Sequence, residues 1–318
     1  GEGDYLWTSP NTFVASANCG LYCGAKVDFV DIDPLTYNLS PEALEKKLIQ
    51  AKQDHKLPKI VIPVHFAGQS CDMKKIYLLS KEYGFKIIED ASHAIGGKYL
   101  DRPIGCCQYS NITVFSFHPV KIITTAEGGI ALTNSKQLAT KMQLLRSHGI
   151  TRDKNLMQKP NDKDWYYEQI DLGFNYRMND IQAALGVSQM KRLDEFVSKR
   201  NKLKDRYDSL LKSLPVTTTH IDSDCYSACH LYTIKLELEK ITKTHGQVFT
   251  ELKLNNIGVN IHYIPVHLHP YYEKKGFEIG DYPNSEKYYN CAITLPMFFT
   301  LDDEQQDIVV NSLKKIIC

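Results

Sequence analysis

The chain has 318 residues, of which 43% are hydrophobic and 24% charged, and its 38 basic and 37 acidic residues leave a formal net charge of +1. This composition argues against disorder and predicts a compact, soluble protein of about two domains. A nearly neutral chain has no general electrostatic attraction to nucleic acid or to a membrane surface. Since no apolar stretch reaches the ~20 residues of a membrane helix, we expect a cytoplasmic protein with neither of those partners.

Between residues 26 and 150, short apolar runs alternate with amphipathic stretches. The amphipathic stretches predict a helix from residue 40 and another over 72–83. Ser40 and Pro41 are the N-cap and first-turn residues that favour a helix start. Strands and helices at this spacing predict an α/β fold with a parallel or mostly parallel sheet and helices on both faces. The predicted strands cover residues 27–32, 59–64, 85–89, 112–116 and 129–132.

The pattern changes in the second half of the chain. Residues 153–168 are polar and predict an exposed loop, whereas the apolar periodicity of 180–211 predicts one long helix or two joined helices. This half lacks the regular alternation of the first, so we predict a large domain over residues 1–190 and a smaller α+β domain over 191–318. The last predicted elements are a strand at 231–236, a helix at 245–255, a strand at 258–263 and a helix at 302–317.

Nine cysteines, an odd number in a long chain, do not suggest a disulfide framework. Cys19 and Cys23, like Cys225 and Cys229, are four residues apart and could share a helix face. Thiolate pairs in zinc sites usually have other spacings and obvious further ligands. We therefore expect reduced, structural thiols and no metal site.

Two polar motifs follow apolar strands, where an open α/β sheet binds its ligands. They read EDASHA at residues 89–94 and SFHPVK at 116–121. A carboxylate and a lysine at strand ends can form an ordinary surface ion pair. Alternatively, a buried lysine with a lowered pKa can form a Schiff base with an aldehyde cofactor.

Pyridoxal phosphate needs such a lysine, a carboxylate for its ring nitrogen and a cup for its phosphate. Lys121 and Asp90 fit the first two needs, and Asp90 would keep the ring nitrogen protonated so that the ring can accept electrons. The Ser116 hydroxyl offers a phosphate ligand, and Gly128 with Gly129 permits a close backbone approach near the lysine. The two motifs together thus favour a pyridoxal-phosphate site.

Seven ordered strings resemble the DegT/StrS family of sugar aminotransferases, and the resemblance runs from about residue 3 to the C-terminus. The strings are FVASAN at 13–18, VDID at 30–33, EDASHA at 89–94, SFHPVK at 116–121, EGG at 127–129, RSHG at 146–149 and GFNYRM at 173–178. The resemblance implies pyridoxal 5′-phosphate as cofactor and the aspartate aminotransferase-like fold (fold type I), with a mostly parallel sheet in the large domain. It also implies a homodimer whose active sites are shared across the subunit interface.

The same resemblance implies a role for each matching residue. Lys121 would carry the cofactor covalently and shuttle the proton, Asp90 would bind the ring nitrogen, and His93 would approach the ring hydroxyl. Phe13 would stack on the ring and Ser116 would bind the phosphate. Without the resemblance, Phe13 would be read as a core aromatic and His93 as an ordinary polar contact. The other implied positions are Asn175, which would reach the phosphate from the partner subunit, and the substrate-binding residues His148, Arg177, His262 and Tyr263.

Some members of the family are dehydratases with histidine in place of the lysine, so Lys121 favours amino transfer. Glutamate would donate the amino group to a 4-keto-6-deoxy nucleotide sugar. Residues 115–129 and 262–267 most resemble the PseC type, which makes UDP-4-amino-4,6-dideoxy-N-acetyl-β-L-altrosamine for pseudaminic acid. The alternatives are another keto sugar, for example a dTDP-linked one, and a non-catalytic regulator or binding protein on the same fold.

Members of the family usually carry an upstream Gly-Thr/Ser-Ala turn at a helix N-terminus, which holds the cofactor phosphate. A helix N-terminus favours such an anion. Residue 1 lies downstream of the position expected for that turn. We therefore expect either a fragment of a longer chain or a numbering that begins after this segment.

Overall fold

The computed structural model describes residues 1–159, 161 and 163–318. Its strands, in chain order, are β1 (Tyr5–Thr8), β2 (Lys26–Phe29), β3 (Ile60–Ile62), β4 (Lys86–Asp90), β5 (Lys98–Tyr99), β6 (Arg102–Pro103), β7 (Ile112–Ser116), β8 (Gly129–Leu132), β9 (Ile150–Thr151), β10 (Glu168–Gln169), β11 (Val216–Thr218), β12 (Cys225–Tyr226), β13 (Tyr232–Leu236) and β14 (Ala292–Leu295). Its α-helices are α1 (Ala15–Tyr22), α2 (Pro41–Gln53), α3 (Met73–Tyr83), α4 (Lys136–Arg146), α5 (Asp180–Met190), α6 (Leu193–Leu211), α7 (His245–Leu254), α8 (Pro270–Glu273), α9 (Pro283–Tyr289) and α10 (Asp303–Ile317).

The central sheet has the strand order β2-β1-β3-β4-β7-β8. Each neighbouring pair is parallel except β7 and β8, which are antiparallel. In β1, alternate side chains point to opposite faces of the sheet. Leu6 lies against Gly20 of α1 on one face. Trp7, on the other face, is buried in one core with Leu44 of α2 and Ile76 of α3. The sheet therefore carries helices on both faces, and the predicted, mostly parallel α/β fold is confirmed.

Helices α2 and α3 begin where a side chain satisfies a free backbone amide. The Ser40 hydroxyl accepts from the amide of Ala43 at 3.1 Å. Asp72 accepts from the amide of Lys75 at 3.2 Å in the same way. At the other end of α3, Gly84 takes the left-handed conformation, with φ 85°, which closes a helix at little steric cost. These local signals are the reason that both helices begin within one residue of their predicted starts.

The C-terminal part is built around the antiparallel sheet β11-β13-β14. Helices α7 and α10 share with it a core that includes Leu252, Ile293 and Leu313. The region predicted as one helix or two joined helices is two, α5 and α6. Because α6 buries Val197 in a core of the first part and Leu203 in the core of the second, the domain boundary at residue 190 stays a prediction.

The predicted strand at 258–263 is wrong. Only one bridge, between Asn260 and Thr294, joins this segment to β14. The N–H and C=O of Asn260 both bond Thr294, but this single pair is not extended along the two segments. Next to it, the side-chain oxygen of Asn260 accepts the amide of Ile261 at 2.8 Å, a local bond of the kind that competes with regular strand pairing.

The exposed loop predicted at 153–168 ends in β10, which pairs with β9. Pro160 and Asp162, which belong to that prediction, lie outside the described residues. Within the described residues, none of the helices is both long enough and apolar enough to cross a membrane.

The cysteine pairs differ from each other in their surroundings. Cys19 lies in α1 and Cys23 directly follows it, but Cys225 lies in β12 and Cys229 in the loop beyond it. The idea that Cys225 and Cys229 share a helix face is therefore wrong. All nine cysteines are free thiols, and the described part of the chain contains no group of three or more potential ligands placed to hold a metal ion.

Candidate active site

The carboxyl ends of β4 and β7 bring the two predicted motifs side by side. Asp90 is the last residue of β4 and Ser116 the last of β7, and these parallel strands are neighbours, with Asp90 opposite Val114. Lys121 lies in the loop that leads from β7 to β8. Both motifs therefore meet at the edge of the sheet where α/β proteins bind ligands.

Serine hydroxyls hold both oxygens of the Asp90 carboxylate. Ser16, in the first turn of α1, donates to Oδ2 at 2.6 Å. Ser92 donates its hydroxyl to Oδ1 at 2.6 Å and its backbone amide to the same oxygen at 3.1 Å. Hydrogen bonds to a carboxylate are of the short, strong class, so the Asp90 side chain is fixed at the end of its strand.

The amine of Lys121 is partly buried and lies within the electrostatic reach of Asp90. Burial lowers the pKa of Lys121, and the Asp90 carboxylate opposes part of that change. In the part of the chain that the structure describes, Nζ of Lys121 has no hydrogen-bond or ion-pair partner. The structure thus shows no surface ion pair with Asp90 but an amine of the kind that Schiff-base chemistry requires.

His93, His230 and Tyr263 pack together next to the Asp90 motif. Nε2 of His93 lies 3.1 Å from the Tyr263 hydroxyl, and the His93 and His230 ring centroids are 4.5 Å apart. Burial lowers the pKa of both histidines well below the ordinary value, and nearby positive charge adds a smaller effect in the same direction. Burial and the charge of Asp90 raise the pKa of Tyr263. At neutral pH the imidazoles are therefore uncharged and the phenol keeps its proton.

His262 joins this group from the C-terminal part of the chain. Its Nδ1 lies 2.8 Å from the hydroxyl of Thr294. Burial and the positive charge of Lys121 lower the pKa of His262 to about 4. The structure therefore brings together five of the predicted residues, which we call the lysine cluster: Lys121, Asp90, His93, His262 and Tyr263.

Phe13 lies beside the lysine cluster rather than in a core. Its side chain is 61% exposed, and its ring centroid is 6.3 Å from that of Tyr263. The alternative that it is an ordinary core aromatic is therefore wrong. An exposed aromatic ring at the edge of a polar site is a surface on which a flat ligand can stack.

Ser116 is close to the lysine cluster in the fold without contacting it. Its hydroxyl accepts from the backbone amide of His118 at 3.3 Å. That bond orders the start of the loop that carries Lys121. The role of Ser116 as a phosphate ligand stays a prediction.

Asn175, His148 and Arg177 form a second group, at the surface. Asn175 pairs with Ser147 through an isolated bridge, and the amide of His148 donates to the carbonyl of Phe174 at 2.7 Å. Arg177 lines a groove of about 1020 Å³ next to β8. Across residues 1–159, 161 and 163–318, no hydrogen bond, ion pair or ring contact joins these three exposed side chains to the lysine cluster.

Comparison with known proteins identifies the kind of site. Residues 1–314 match the model of the DegT/DnrJ/EryC1/StrS aminotransferase family. The chain belongs to this family. It is 37% identical over 320 residues to the spore coat polysaccharide biosynthesis protein SpsC of Bacillus subtilis (strain 168), covering 100% of this chain and 80% of the relative. It is 36% identical over 311 residues to the UDP-4-amino-4,6-dideoxy-N-acetyl-beta-L-altrosamine transaminase of Campylobacter jejuni subsp. jejuni serotype O:23/36 (strain 81-176). That match covers 98% of this chain and 78% of the relative.

Among solved structures, this chain is similar to Helicobacter pylori PseC, with a TM-score of 0.88 and 30% sequence identity. That protein is described as an aminotransferase involved in the biosynthesis of pseudoaminic acid. The match covers 99% of this chain and 80% of that one. DegT-family aminotransferases use pyridoxal phosphate, and solved members have been captured with it. The predicted family, fold, enzyme class and cofactor are therefore confirmed.

The lysine cluster of this DegT-family aminotransferase fits that cofactor. Among the described residues it offers an unpartnered amine on Lys121 and a fixed carboxylate on Asp90, and Phe13 beside it offers an exposed ring. An amine can bond the aldehyde of the cofactor, a carboxylate can accept from its ring nitrogen, and an aromatic ring can stack on its flat ring. The roles of the individual residues stay predictions.

Three polar residues of the DegT-family site are not predicted from the sequence: Ser16, Ser92 and His230. The two serines lie inside the motifs FVASAN and EDASHA, which belong to the family resemblance. A motif does not indicate, however, which hydroxyl contacts Asp90. His230 comes from a loop of the C-terminal part, and no motif marks it.

Proposed function

We propose that this DegT-family aminotransferase moves an amino group from glutamate to the keto group of a UDP-linked 4-keto-6-deoxy sugar, as in the pseudaminic acid pathway. The observation that carries the proposal is the partly buried amine of Lys121 beside Asp90, at the position where dehydratases of the family have histidine. The choice of a UDP-sugar is supported by the name of the Campylobacter transaminase, and the choice of pathway by the name of the Helicobacter structure.

Lys121 would supply both the covalent attachment and the proton transfer. Because burial lowers the pKa of its amine, a larger fraction is unprotonated at neutral pH than for an exposed lysine. An unprotonated Nζ can attack an aldehyde, accept a proton from the substrate carbon and return it elsewhere. Bound pyridoxal phosphate supplies an electron sink for the charge that this proton removal leaves behind.

The other residues of the site would hold the ring and keep its surroundings uncharged. Asp90, fixed by Ser16 and Ser92, can accept a hydrogen bond from a protonated ring nitrogen. Phe13 can cover one face of the ring. Since His93 and His262 are uncharged at neutral pH, they add no further positive charge beside the lysine.

The reaction is tested with purified protein, pyridoxal phosphate, glutamate and one of two acceptors. One acceptor is a UDP-linked 4-keto-6-deoxy-N-acetylhexosamine and the other a dTDP-linked 4-keto-6-deoxyhexose. We expect an amino sugar from the UDP-linked acceptor, detected by mass spectrometry, with an equal amount of 2-oxoglutarate. Lys121→Ala should give neither product. A product from the dTDP-linked acceptor alone would favour the other keto sugar, and no product from either would favour the regulator.

We also propose that the active unit is a homodimer in which Asn175 and Arg177 serve the lysine cluster of the partner subunit. An asparagine amide can donate to a phosphate oxygen, and an arginine can add a charge. The proposal is supported by the exposure of these side chains, which do not contact their own lysine cluster. It is also supported by large apolar side chains that are exposed close by in the sequence, since exposed apolar surface is typical of an interaction site. The most exposed of these are Leu172, Tyr176 and Ile181.

Subunit mixing tests the shared site. Inactive Lys121→Ala chains are combined with inactive Asn175→Ala chains under conditions where subunits exchange. If sites are shared, a heterodimer has one site with both substitutions and one with neither, so part of the activity returns. No recovery, with exchange confirmed by native mass spectrometry, would exclude the shared site.

A further inference from the structure

We infer that Ser16 is a positioning residue for Asp90, which sets the direction of the carboxylate toward the ring nitrogen of the cofactor. The inference rests on the proposed role of Asp90 in the site. It adds a residue to which neither the family resemblance nor the comparisons assign a function.

The hydrogen-bond geometry gives the Ser16 hydroxyl a defined direction. Its oxygen lies 2.6 Å from Oδ2 of Asp90 and 2.9 Å from the hydroxyl of Thr12. A carboxylate oxygen only accepts, so Ser16 donates to Asp90 and must accept from Thr12. Thr12 and Ser16 are 2% and 5% exposed, so water does not replace either bond. The result is a buried chain of hydrogen bonds in which each bond polarises the next.

The two oxygens of Asp90 are held from different places. Ser92, which holds Oδ1, is two residues away in the same turn and therefore moves together with Asp90. Ser16 is 74 residues away in sequence and belongs to α1. Its bond is therefore the one that fixes the carboxylate relative to another element of the fold.

Phe13 lies two residues before the start of that helix. The amide of Ser16 donates to the carbonyl of Phe13 at 3.3 Å, in the turn that opens α1. A single short segment thus places both the exposed ring and the hydroxyl that directs Asp90. If the ring of Phe13 stacks on the cofactor, this segment fixes the distance between the ring plane and the carboxylate.

The test measures cofactor affinity by fluorescence titration of the cofactor-free protein with two probes. One probe is pyridoxal phosphate, and the other is its 1-deaza analogue, in which a C–H replaces the ring nitrogen and cannot bond Asp90. We expect the wild type to prefer pyridoxal phosphate. Ser16→Ala should raise the Kd for pyridoxal phosphate about tenfold, by analogy with the loss of affinity when a residue that orients a metal ligand is removed. The Kd for the analogue should not change.

Three further variants separate positioning from folding. Asn18→Ala is the matched control, since Asn18 lies on the same helix and accepts one hydrogen bond, from Tyr272 at 2.7 Å. It should leave the preference between the probes intact, and Ser16→Thr, which keeps a hydroxyl, should retain most of it. Asp90→Ala should abolish it.

The outcomes divide cleanly. If Asp90→Ala abolishes the preference but Ser16→Ala only lowers the melting temperature, as Asn18→Ala does, the positioning role of Ser16 is overturned and the role of Asp90 stands. If Asp90→Ala also keeps the preference, the assignment of Asp90 falls, and the inference about Ser16 falls with it.

Discussion

Acidification should destabilise the folded protein through His262. Burial and the charge of Lys121 lower its folded-state pKa to about 4, against an ordinary value of 6.5. Between those two values the unfolded chain binds a proton at this position that the folded chain does not. Stability therefore falls as the pH drops from 6.5 toward 4, and the loss is complete below the folded-state pKa.

The size of the loss follows from proton linkage. Each pH unit inside the window is worth at most about 1.4 kcal/mol, which gives a full loss from His262 of about 3 kcal/mol. Between pH 7 and pH 5 the loss is about 2 kcal/mol, because at pH 5 the unfolded histidine is almost fully charged and the folded one almost fully neutral. His93 and His230, whose pKa values burial also lowers, add losses of the same sign.

Urea unfolding at the two pH values, without added cofactor, measures this effect. The variants are His262→Asn, whose amide keeps a polar partner for the hydroxyl of Thr294, and His55→Asn, at an exposed position. Wild type and His55→Asn should each lose about 2 kcal/mol more than His262→Asn between pH 7 and pH 5. Equal losses in all three proteins would refute the reasoning, since His262 would then bind its proton equally in both states.

Three further substitutions test the site and the core. Asp90→Asn should leave folding largely intact and slow amino transfer at least about 100-fold, because in the proposed role of Asp90 the ring nitrogen would lose its charged partner; near-normal turnover in the glutamate assay would remove Asp90 from the reaction. Tyr263→Phe should lower the free energy of unfolding by about 1–3 kcal/mol, because Nε2 of His93 loses a buried partner; an unchanged urea midpoint would contradict that contact. Leu252→Ala, at a fully buried position of α7, should cost about 2–5 kcal/mol, whereas Leu254→Ala, at a position that is 76% exposed, should cost no more than about 0.5 kcal/mol; similar shifts in the urea midpoint would contradict this difference.

Local signals explain which parts of the fold can be predicted from the sequence. Helix α3 is predictable because Asp72 caps its start and Gly84 closes its end, both within the segment itself. Strand β1 escapes prediction although it lies inside the sheet. Its four residues are too few to show a period, and its place is set by pairing with β2 and β3, which are distant in sequence.

The same distinction holds for the candidate site. Lys121 and Asp90 can be found from the sequence because each follows an apolar strand within a few residues. The contact between His93 and Tyr263 joins residues 170 positions apart, and the one between Ser16 and Asp90 joins different elements. Such partners are selected by the packing of elements that are distant in sequence, which no local pattern encodes.

Helix α6 runs without a break from one hydrophobic core into the other. Its first turns bury Val197 in the core that includes Phe115, and its later turns bury Tyr207 in the core that includes Leu252. Between them, Arg200 donates to three backbone carbonyls from two separate loops. A helix of this kind couples the unfolding of the two cores. If either core unfolded, the other would lose the apolar side chains that α6 contributes to it, and the buried Arg200 would lose its carbonyl partners. Heating should therefore give one calorimetric transition, with matching calorimetric and van't Hoff enthalpies, rather than two.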